Sequence, residues 1–216
     1  MKDWLLLLAG ICVILGGCFL AYPMLKRQAL LEINGQAPIM EASVKILVGS
    51  GSGSGVHIGD GKILTAAHVV SSNDRVRVEY YGGGLIWAKV IWTNREFDVA
   101  LIKVERRHWA QVAPLDCAPN TTGQKVFIVG NPMDVAFVWT RGEVVGPARK
   151  HGPWAQVVPV DGRVIYGQSG GGVIDFRGRL VGIAVGLLPT PYGIAAFGWI
   201  VPAESVCQLL SNQGKA

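Results

Sequence analysis

The sequence predicts an all-β protein made of two antiparallel six-stranded β-barrels, closed by a short C-terminal helix and preceded by an N-terminal transmembrane helix. Short runs rich in Val and Ile, separated by glycine, recur from residue 42 to residue 201, as expected for strands joined by tight turns. Strands do not alternate with long helical segments, which excludes a doubly wound α/β sheet. With 216 residues, of which 50% are hydrophobic, the chain can bury a core.

Two sets of predicted strands flank a polar, proline-punctuated stretch, which we take as a linker over residues 114–123. The first barrel spans residues 42–113, and the second barrel with its helix spans 124–212. Residues 75–80 alternate apolar and polar, and Gly82–Gly84 predict a hairpin turn after them. The first set of strands is 43–48, 56–58, 63–65, 75–80, 85–92 and 99–104. The second set is 125–129, 137–145, 155–160, 171–175, 180–185 and 197–201.

The N-terminal residues 4–25 carry no charged side chain. As a helix they would be about 33 Å long, enough to cross a bilayer core of roughly 30 Å. We favour a retained anchor over residues 1–27, followed by a stalk over 28–41, in a single-pass membrane protein with its folded part outside the cytoplasm. A cleaved signal peptide and lipidation at Cys18 stay open as alternatives. The few flanking charges do not fix the orientation.

The distribution of charge and of cysteines limits which partners, metals and cofactors the chain is expected to bind. The net charge of +5 is spread along the chain, which is typical of a solvated basic surface and gives no reason to expect nucleic acid. Only Cys117 and Cys207 lie outside the apolar N-terminus, and neither has a neighbouring Cys or His at metal-ligand spacing. We therefore expect no metal and no cofactor.

Residues 167–171, Gly-Gln-Ser-Gly-Gly, are the strongest local indication of chemistry. A nucleophilic serine needs backbone N–H groups aimed at the developing oxyanion and small neighbours that let the chain bend. Ser169 is the candidate nucleophile. A glycine-rich turn without chemistry is the alternative, as we expect for residues 49–55 and 82–84.

His68 is the candidate general base, because Ala66 and Ala67 before it allow tight backbone packing and neutral imidazole can accept the serine proton. His57, His108 and His151 are interpreted as packed or surface histidines.

Asp98 is the candidate partner of the imidazole, since it opens an apolar strand where an unpaired carboxylate would be costly. Asp116 and Asp134 fall in predicted loops. The chain order His, Asp, Ser is the one found in chymotrypsin-like sites and differs from the subtilisin and α/β-hydrolase orders.

These segments resemble the trypsin-like peptidases, and most closely the HtrA (DegP) type. The resemblance covers residues 44–210, nearly all of the soluble part. It rests on residues 51–56, 63–70, 98–104, 167–172, 178–183 and 197–202.

The resemblance implies a serine endopeptidase whose oxyanion hole is formed by the N–H groups of Gly167 and Ser169, with the Gln168 N–H assisting. Gln168 also stands where digestive relatives carry an aspartate, so activation by a newly formed N-terminus is not expected. The short stretch after the last predicted helix leaves no room in this chain for the PDZ domain that usually follows in the HtrA type. The closing helix of this fold returns towards the linker, which implies that Cys117 and Cys207 are close enough for a disulfide in an oxidising compartment.

The resemblance also places the pocket for the side chain before the cut bond. Arg163 stands where a trypsin-like preference would need an aspartate. Arg163 in the pocket would select acidic side chains, whereas Arg163 in solvent leaves an aliphatic pocket, which we favour. The candidate substrate-binding residues are Val164, Ile165, Val185, Gly186 and Leu187.

Two function classes follow. The first is an endopeptidase that acts on protein or peptide substrates, with an oligomer left open. The second is a catalytically inactive, protease-like binding scaffold at the membrane. The presence of all three candidate catalytic residues favours the enzyme.

Overall fold

The computed structural model describes residues 40–104, 111–189 and 195–213. The described residues belong to one compact unit, Pro38–Ala216. The expected anchor at residues 4–25, the stalk before residue 40 and His108 lie outside the described residues. Within the described ranges, no helix is both long and apolar enough to cross a membrane.

The first barrel is confirmed as a closed sheet of six strands in the order β1-β2-β3-β6-β5-β4. Every neighbouring pair is antiparallel, and inward side chains such as Val44, Ile46 and Ile102 are fully buried. A one-turn helix, α1 (Ala67–Val70), follows the third strand. The strands are β1 (Ser43–Val48), β2 (Gly51–Gly59), β3 (Lys62–Thr65), β4 (Arg75–Tyr80), β5 (Leu85–Asn94) and β6 (Val99–Val104).

The glycine-rich segment before residue 56 is part of strand β2, so the expectation of a turn over residues 49–55 was largely wrong. Gly53 pairs with Ile46 of β1. A Cβ at Gly53 would lie 2.6 Å from a methyl group of Val69 in the neighbouring α1 helix. The glycine is therefore explained by close packing against that helix, a tertiary constraint that composition alone cannot reveal.

Within residues 111–189 and 195–213, the second half has seven strands instead of the expected six, in the order β13-β12-β11-β7-β8-β10-β9. Strand β10 also pairs with β13, which joins the sheet to itself. The additional strand β9 is short and polar, without the apolar alternation used to predict strands. The strands are β7 (Lys125–Gly130), β8 (Val138–Val144), β9 (Arg149–His151), β10 (Trp154–Asp161), β11 (Gly172–Ile174), β12 (Leu180–Pro189) and β13 (Ala195–Pro202).

A disulfide ties the segment between the barrels to the closing helix α2 (Ala203–Gln213). Cys117 and Cys207 are bonded, with a Cα–Cα distance of 5.8 Å, so the expected pairing is confirmed. Next to Cys117, the N–H of Asp116 donates to the carbonyl of Leu180 in β12 (2.9 Å). The segment between the barrels is thus fixed to the second barrel at both α2 and β12.

Candidate active site

His68 and Asp98 form a directly hydrogen-bonded pair on the first barrel. His68 lies in α1, just after β3, and Asp98 ends the turn between β5 and β6. The imidazole Nδ1 lies 2.6 Å from Asp98 Oδ2, and the main-chain N–H of His68 donates to Asp98 Oδ1 (2.9 Å). The His68 side chain is 48% exposed whereas that of Asp98 is 10% exposed. With Nδ1 donating to the carboxylate, Nε2 remains available to accept a proton.

The backbone around this pair is held by further hydrogen bonds. The N–H of Ala67 donates to the main-chain carbonyl of Asp98 (3.1 Å), and Ala66 and Ala67 are buried, as expected of small residues packed before the histidine. A third donor to the carboxylate comes from the second barrel, where Trp154 Nε1 lies 3.1 Å from Asp98 Oδ2. The buried carboxylate therefore has a polar partner on each oxygen, which offsets the cost of removing it from water.

The other acidic candidates have different partners. Asp134 accepts a hydrogen bond from Ser52 (2.6 Å) and pairs with Lys45 (3.2 Å), and these two contacts lower the pKa of Asp134. Asp116 pairs with Arg179 (2.9 Å). Asp98 is thus the one of these three carboxylates that bonds to His68.

Ser169 lies in a loop of the second barrel, and the buried Gln168 stabilises this loop through hydrogen bonds to its main chain. The Gln168 side-chain oxygen accepts the N–H of Ile165 (2.8 Å), and the Gln168 main-chain N–H donates to the Ile165 carbonyl (3.0 Å). The expectation that this N–H assists an oxyanion is therefore corrected, because it is engaged within the loop.

Gly167 and Ser169 keep their main-chain N–H groups free of acceptors among the residues that the structure describes. The carbonyl of Tyr166 accepts the N–H of Met133 (2.8 Å). Because the N–H and C=O of a trans peptide point in opposite directions, this bond turns the N–H of Gly167 away from Met133. Two free N–H groups flanking a serine hydroxyl can stabilise a developing negative charge on a substrate oxygen.

Close backbone packing brings the serine loop to the strand that leads to His68. The N–H of Ser54 in β2 donates to the carbonyl of Ser169 (2.8 Å). Gly170 has a φ of +82°, and a Cβ there would overlap the carbonyl of Ser54 and the hydroxyl of Thr65. Thr65 ends β3, three residues before His68. Only glycine fits this junction without strain.

The residues named for the specificity pocket occupy two environments. Arg163 is exposed, and Ile165, Gly186 and Leu187 are partly exposed. Val164 and Val185 are only 2% and 3% exposed and belong to the hydrophobic cores. These two valines therefore offer little surface to a substrate, whereas Ile165, Gly186 and Leu187 are accessible from outside.

Two residues of the site were missed by sequence reasoning. Ser54 is fully buried, and its hydroxyl donates to the carbonyl of Gly167 (2.7 Å) and accepts the N–H of Asn131 (2.8 Å). Its glycine neighbours made it look like part of a turn. Trp154 follows a Gly-Pro pair, and nothing in the local sequence indicates that its indole reaches Asp98. His57 is buried, with Nδ1 3.0 Å from the Gln111 carbonyl, in agreement with a packed histidine.

Comparison with protein families identifies one matching domain. A family model described as a trypsin-like peptidase domain matches residues 53–183. A probable periplasmic serine endoprotease, DegP-like, from Brucella suis biovar 1 is 30% identical over 165 residues, which are 74% of this chain and 32% of the relative. A probable periplasmic serine protease, do/HhoA-like, from Haemophilus influenzae is 25% identical over 76% of this chain and 36% of the relative. The chain thus spans about a third of the length of these curated relatives.

Solved structures share the fold. A crystal structure of Rv3671c from M. tuberculosis H37Rv, a serine-to-alanine mutant in an inactive form, superposes with a TM-score of 0.72 at 26% identity. It covers 87% of this chain and 94% of that one. The HtrA-type protease AlgW with tripeptide superposes with a TM-score of 0.75 at 22% identity, over 83% of this chain and 62% of that one.

Proposed function

This chain belongs to the trypsin-like peptidase family, and we propose that it is a serine endopeptidase that cleaves protein or peptide substrates through His68, Asp98 and Ser169. The observation that carries the proposal is the hydrogen-bonded pair of Asp98 and His68 (2.6 Å), whose ring is half exposed beside the Ser169 loop. A buried carboxylate that orients an exposed imidazole is what general-base activation of a serine requires.

The proposed reaction uses these residues in two halves. Nε2 of His68 takes the hydroxyl proton as Ser169 Oγ attacks the carbonyl carbon, and Asp98 stabilises the resulting imidazolium. The imidazolium returns this proton to the leaving amine, so the peptide C–N bond breaks and an acyl ester on Ser169 remains. Water then loses a proton to His68 as its oxygen attacks the ester carbon. The bond between that carbon and Ser169 Oγ breaks, His68 returns the proton to Oγ, and the new carboxylic acid leaves. No cofactor takes part in these steps.

The proposed oxyanion hole consists of the N–H groups of Gly167 and Ser169. Its support is the bond from Met133 to the Tyr166 carbonyl (2.8 Å), which fixes the peptide that carries the Gly167 N–H. Removing one oxyanion donor costs on the order of 10² to 10³ in kcat in serine peptidases.

We propose that the substrate side chain before the cut bond is aliphatic. The exposure of Arg163 supports this, because a guanidinium in solvent does not select an acidic side chain within the pocket. The partly exposed Ile165, Gly186 and Leu187 would form the wall, and Val164 and Val185 the floor. Cleavage of a peptide library should enrich Val, Ala, Ile or Leu before the cut bond, and Arg163→Ala should leave that profile unchanged. A strong Asp or Glu preference that Arg163→Ala abolishes would contradict the proposed pocket.

We further propose that the peptidase domain lies outside the cytoplasm, attached to the membrane through residues 4–25. The bonded cysteines support an oxidising compartment, and the relatives from Brucella suis and Haemophilus influenzae are described as periplasmic. The full chain should fractionate with membranes, and replacing Ile14 and Leu15 by Asp should release it. Recovery of the unaltered chain in the soluble fraction would contradict the proposed anchor.

Peptide hydrolysis by Ser169→Ala tests the proposed function. Loss of the hydroxyl should reduce kcat by at least about 10⁴ while the circular dichroism spectrum stays unchanged. Substantial residual activity would mean that another nucleophile operates. A folded wild-type protein that hydrolyses no peptide at neutral pH would favour the binding scaffold instead.

A further inference from the structure

We infer that Trp154 is a positioning residue for the site: its indole N–H holds the Asp98 carboxylate in place for His68. Only the expected change in kcat rests on the proposed function, whereas the contact between the indole and the carboxylate does not. Trp154 is partly exposed and belongs to the second barrel, whereas Asp98 and His68 belong to the first. The orientation of the imidazole therefore depends on a side chain from the opposite half of the domain.

The contact between Trp154 and Asp98 is one of two adjacent hydrogen bonds that join the barrels. Trp154 Nε1 donates to Asp98 Oδ2 (3.1 Å), and the main-chain N–H of Ala155 donates to the carbonyl of Glu96 (2.9 Å). Glu96 lies in the same turn as Asp98. The beginning of β10 is therefore attached to the turn that carries the carboxylate, and the indole bond is directed at the oxygen that His68 also uses.

The hairpin of β9 and β10 fixes the plane of the indole. Its turn contains Gly152 with a φ of 52°, the left-handed value that two-residue hairpin turns require. The His151 ring is stacked 4.2 Å from Trp199 at an interplanar angle of 21°. The Trp154 ring lies nearly parallel to His151, with centroids 6.5 Å apart at 19°. Trp199 is buried, so the stacked rings rest on the core of the second barrel.

The other edge of the indole packs against β12. A Cβ at Gly186 would lie 2.8 Å from Cζ2 of Trp154 and would overlap Cη2. Since Gly186 is one of the proposed substrate-binding residues, Trp154 could serve either as a wall for the substrate or as a support for Asp98. These roles differ in their kinetics, because a wall contributes to substrate binding and a support contributes to the reaction of bound substrate.

The hydrogen bond favours the supporting role. Without the indole N–H, Asp98 Oδ2 keeps only its bond to the imidazole, and the carboxylate loses its anchor to β10. A hydrogen bond to a charged acceptor is among the stronger ones in proteins. We expect Trp154→Phe, which keeps an aromatic ring but has no N–H, to lower kcat by about tenfold and to change KM by less than about twofold.

The matched control is Trp139→Phe. Trp139 is also a partly exposed tryptophan of the second barrel; it packs edge-on against Phe127 with centroids 5.5 Å apart. Its indole N–H makes no hydrogen bond among those found in the described part of the chain. This control should keep kcat and KM within about twofold. A tenfold rise in KM for Trp154→Phe at unchanged kcat would identify a substrate wall and overturn the inference, as would unchanged kinetics.

A spectroscopic measurement separates this inference from the proposed function. The measurement uses the Ser169→Ala protein, because it requires no catalysis. The low-field proton resonance of His68 Nδ1–H should shift or broaden when Trp154→Phe is introduced as a second substitution, and should not change with Trp139→Phe. Conversely, Asp98→Ala should move the indole ¹H–¹⁵N peak of Trp154, which identifies the contact without altering the tryptophan. If both signals stay in place, the positioning role is refuted. If both respond while the wild-type protein hydrolyses no peptide, the positioning role stands and the proposed function fails.

Discussion

Ser54→Ala should strongly destabilise the protein, because its buried hydroxyl in the first barrel bonds to main-chain groups of the second barrel. Ser54 and Asn131 are both fully buried. The Ser54 hydroxyl donates to the carbonyl of Gly167 (2.7 Å) and accepts the main-chain N–H of Asn131 (2.8 Å). It also lies 3.0 Å from the side-chain amide nitrogen of Asn131. Truncation to alanine leaves the Gly167 carbonyl and the Asn131 main-chain N–H unpaired where water has little access, whereas the Asn131 side-chain amide keeps its bond to the carbonyl of Val44 (3.0 Å).

The magnitude follows from the two main-chain groups that lose this partner. A buried donor or acceptor left unsatisfied costs about 1–3 kcal/mol, so the free energy of unfolding should fall by about 2–6 kcal/mol. Domains of this size are stable by only about 5–15 kcal/mol, which makes the expected loss a large part of the total. Because Gly167 carries a proposed oxyanion donor, kcat should fall as well.

Urea unfolding followed by tryptophan fluorescence measures the loss, with Ser52→Ala as the matched control. Ser52 lies two residues away on the same strand, and its hydroxyl bonds to exposed Asp134 (2.6 Å). Removing that bond should cost less than about 1 kcal/mol, because water replaces the lost partner. If Ser54→Ala also costs less than about 1 kcal/mol, the Ser54 hydroxyl does not stabilise the junction between the barrels.

Three further results are expected. Asp98→Asn should lower kcat by about 10⁴ with the fold intact, whereas Asp134→Asn should stay within about threefold of wild type; the reverse order of effects would reassign the orienting carboxylate. Burial raises the pKa of Tyr80 to about 12, so the neutral phenol is favoured in the folded state, and stability that is complete below pH 10 should be lost from pH 10 to 12. Urea midpoints of Tyr80→Phe should show a shallower decline over this range, and parallel declines would exclude Tyr80 as the cause. Reduction of the Cys117–Cys207 bond, which links residues 90 positions apart, should lower the free energy of unfolding by about 4.6 kcal/mol, and an unchanged urea midpoint would contradict its stabilising role.

The pairing of Asp98 with His68 and the strands of the first barrel could be predicted from the sequence, because both follow local rules. Alternating apolar residues predict strands such as Arg75–Tyr80, and an aspartate at the start of an apolar strand needs a polar partner. The pairing of Cys117 with Cys207 followed from resemblance to a known fold. Each of these depended on a pattern within a few residues or on a recognised architecture.

The supporting contacts could not be predicted, because they depend on residues far apart in the chain. Ser54 acquires its role from contact with Gly167, 113 positions away, and Trp154 from contact with Asp98, 56 positions away. Strand β9 is polar and only three residues long, so no periodicity marks it. The expected contribution of the Gln168 N–H failed for a similar reason, since a local turn within the serine loop uses that group.

The two barrels contribute different parts of one proposed catalytic unit. The first carries the Asp98–His68 pair and the second carries Ser169, and the contacts across the junction come from buried or partly buried side chains of both. This division explains why the unit depends on Ser54 and Trp154, which have no proposed chemical role of their own. Loss of either contact should impair the reaction, although the three reacting side chains themselves are unchanged.

Labelling with a fluorophosphonate probe tests the central proposal most directly, because phosphonylation requires a nucleophilic serine, its general base and a formed oxyanion hole at once. The wild-type protein at neutral pH should gain one probe, and peptide mapping should place it on Ser169. Ser169→Ala should remain unlabelled, and His68→Ala should react at least about a thousandfold more slowly. A folded wild-type protein that stays unlabelled, or that carries the probe on another residue, would contradict the assignment of Ser169 as the nucleophile of this peptidase.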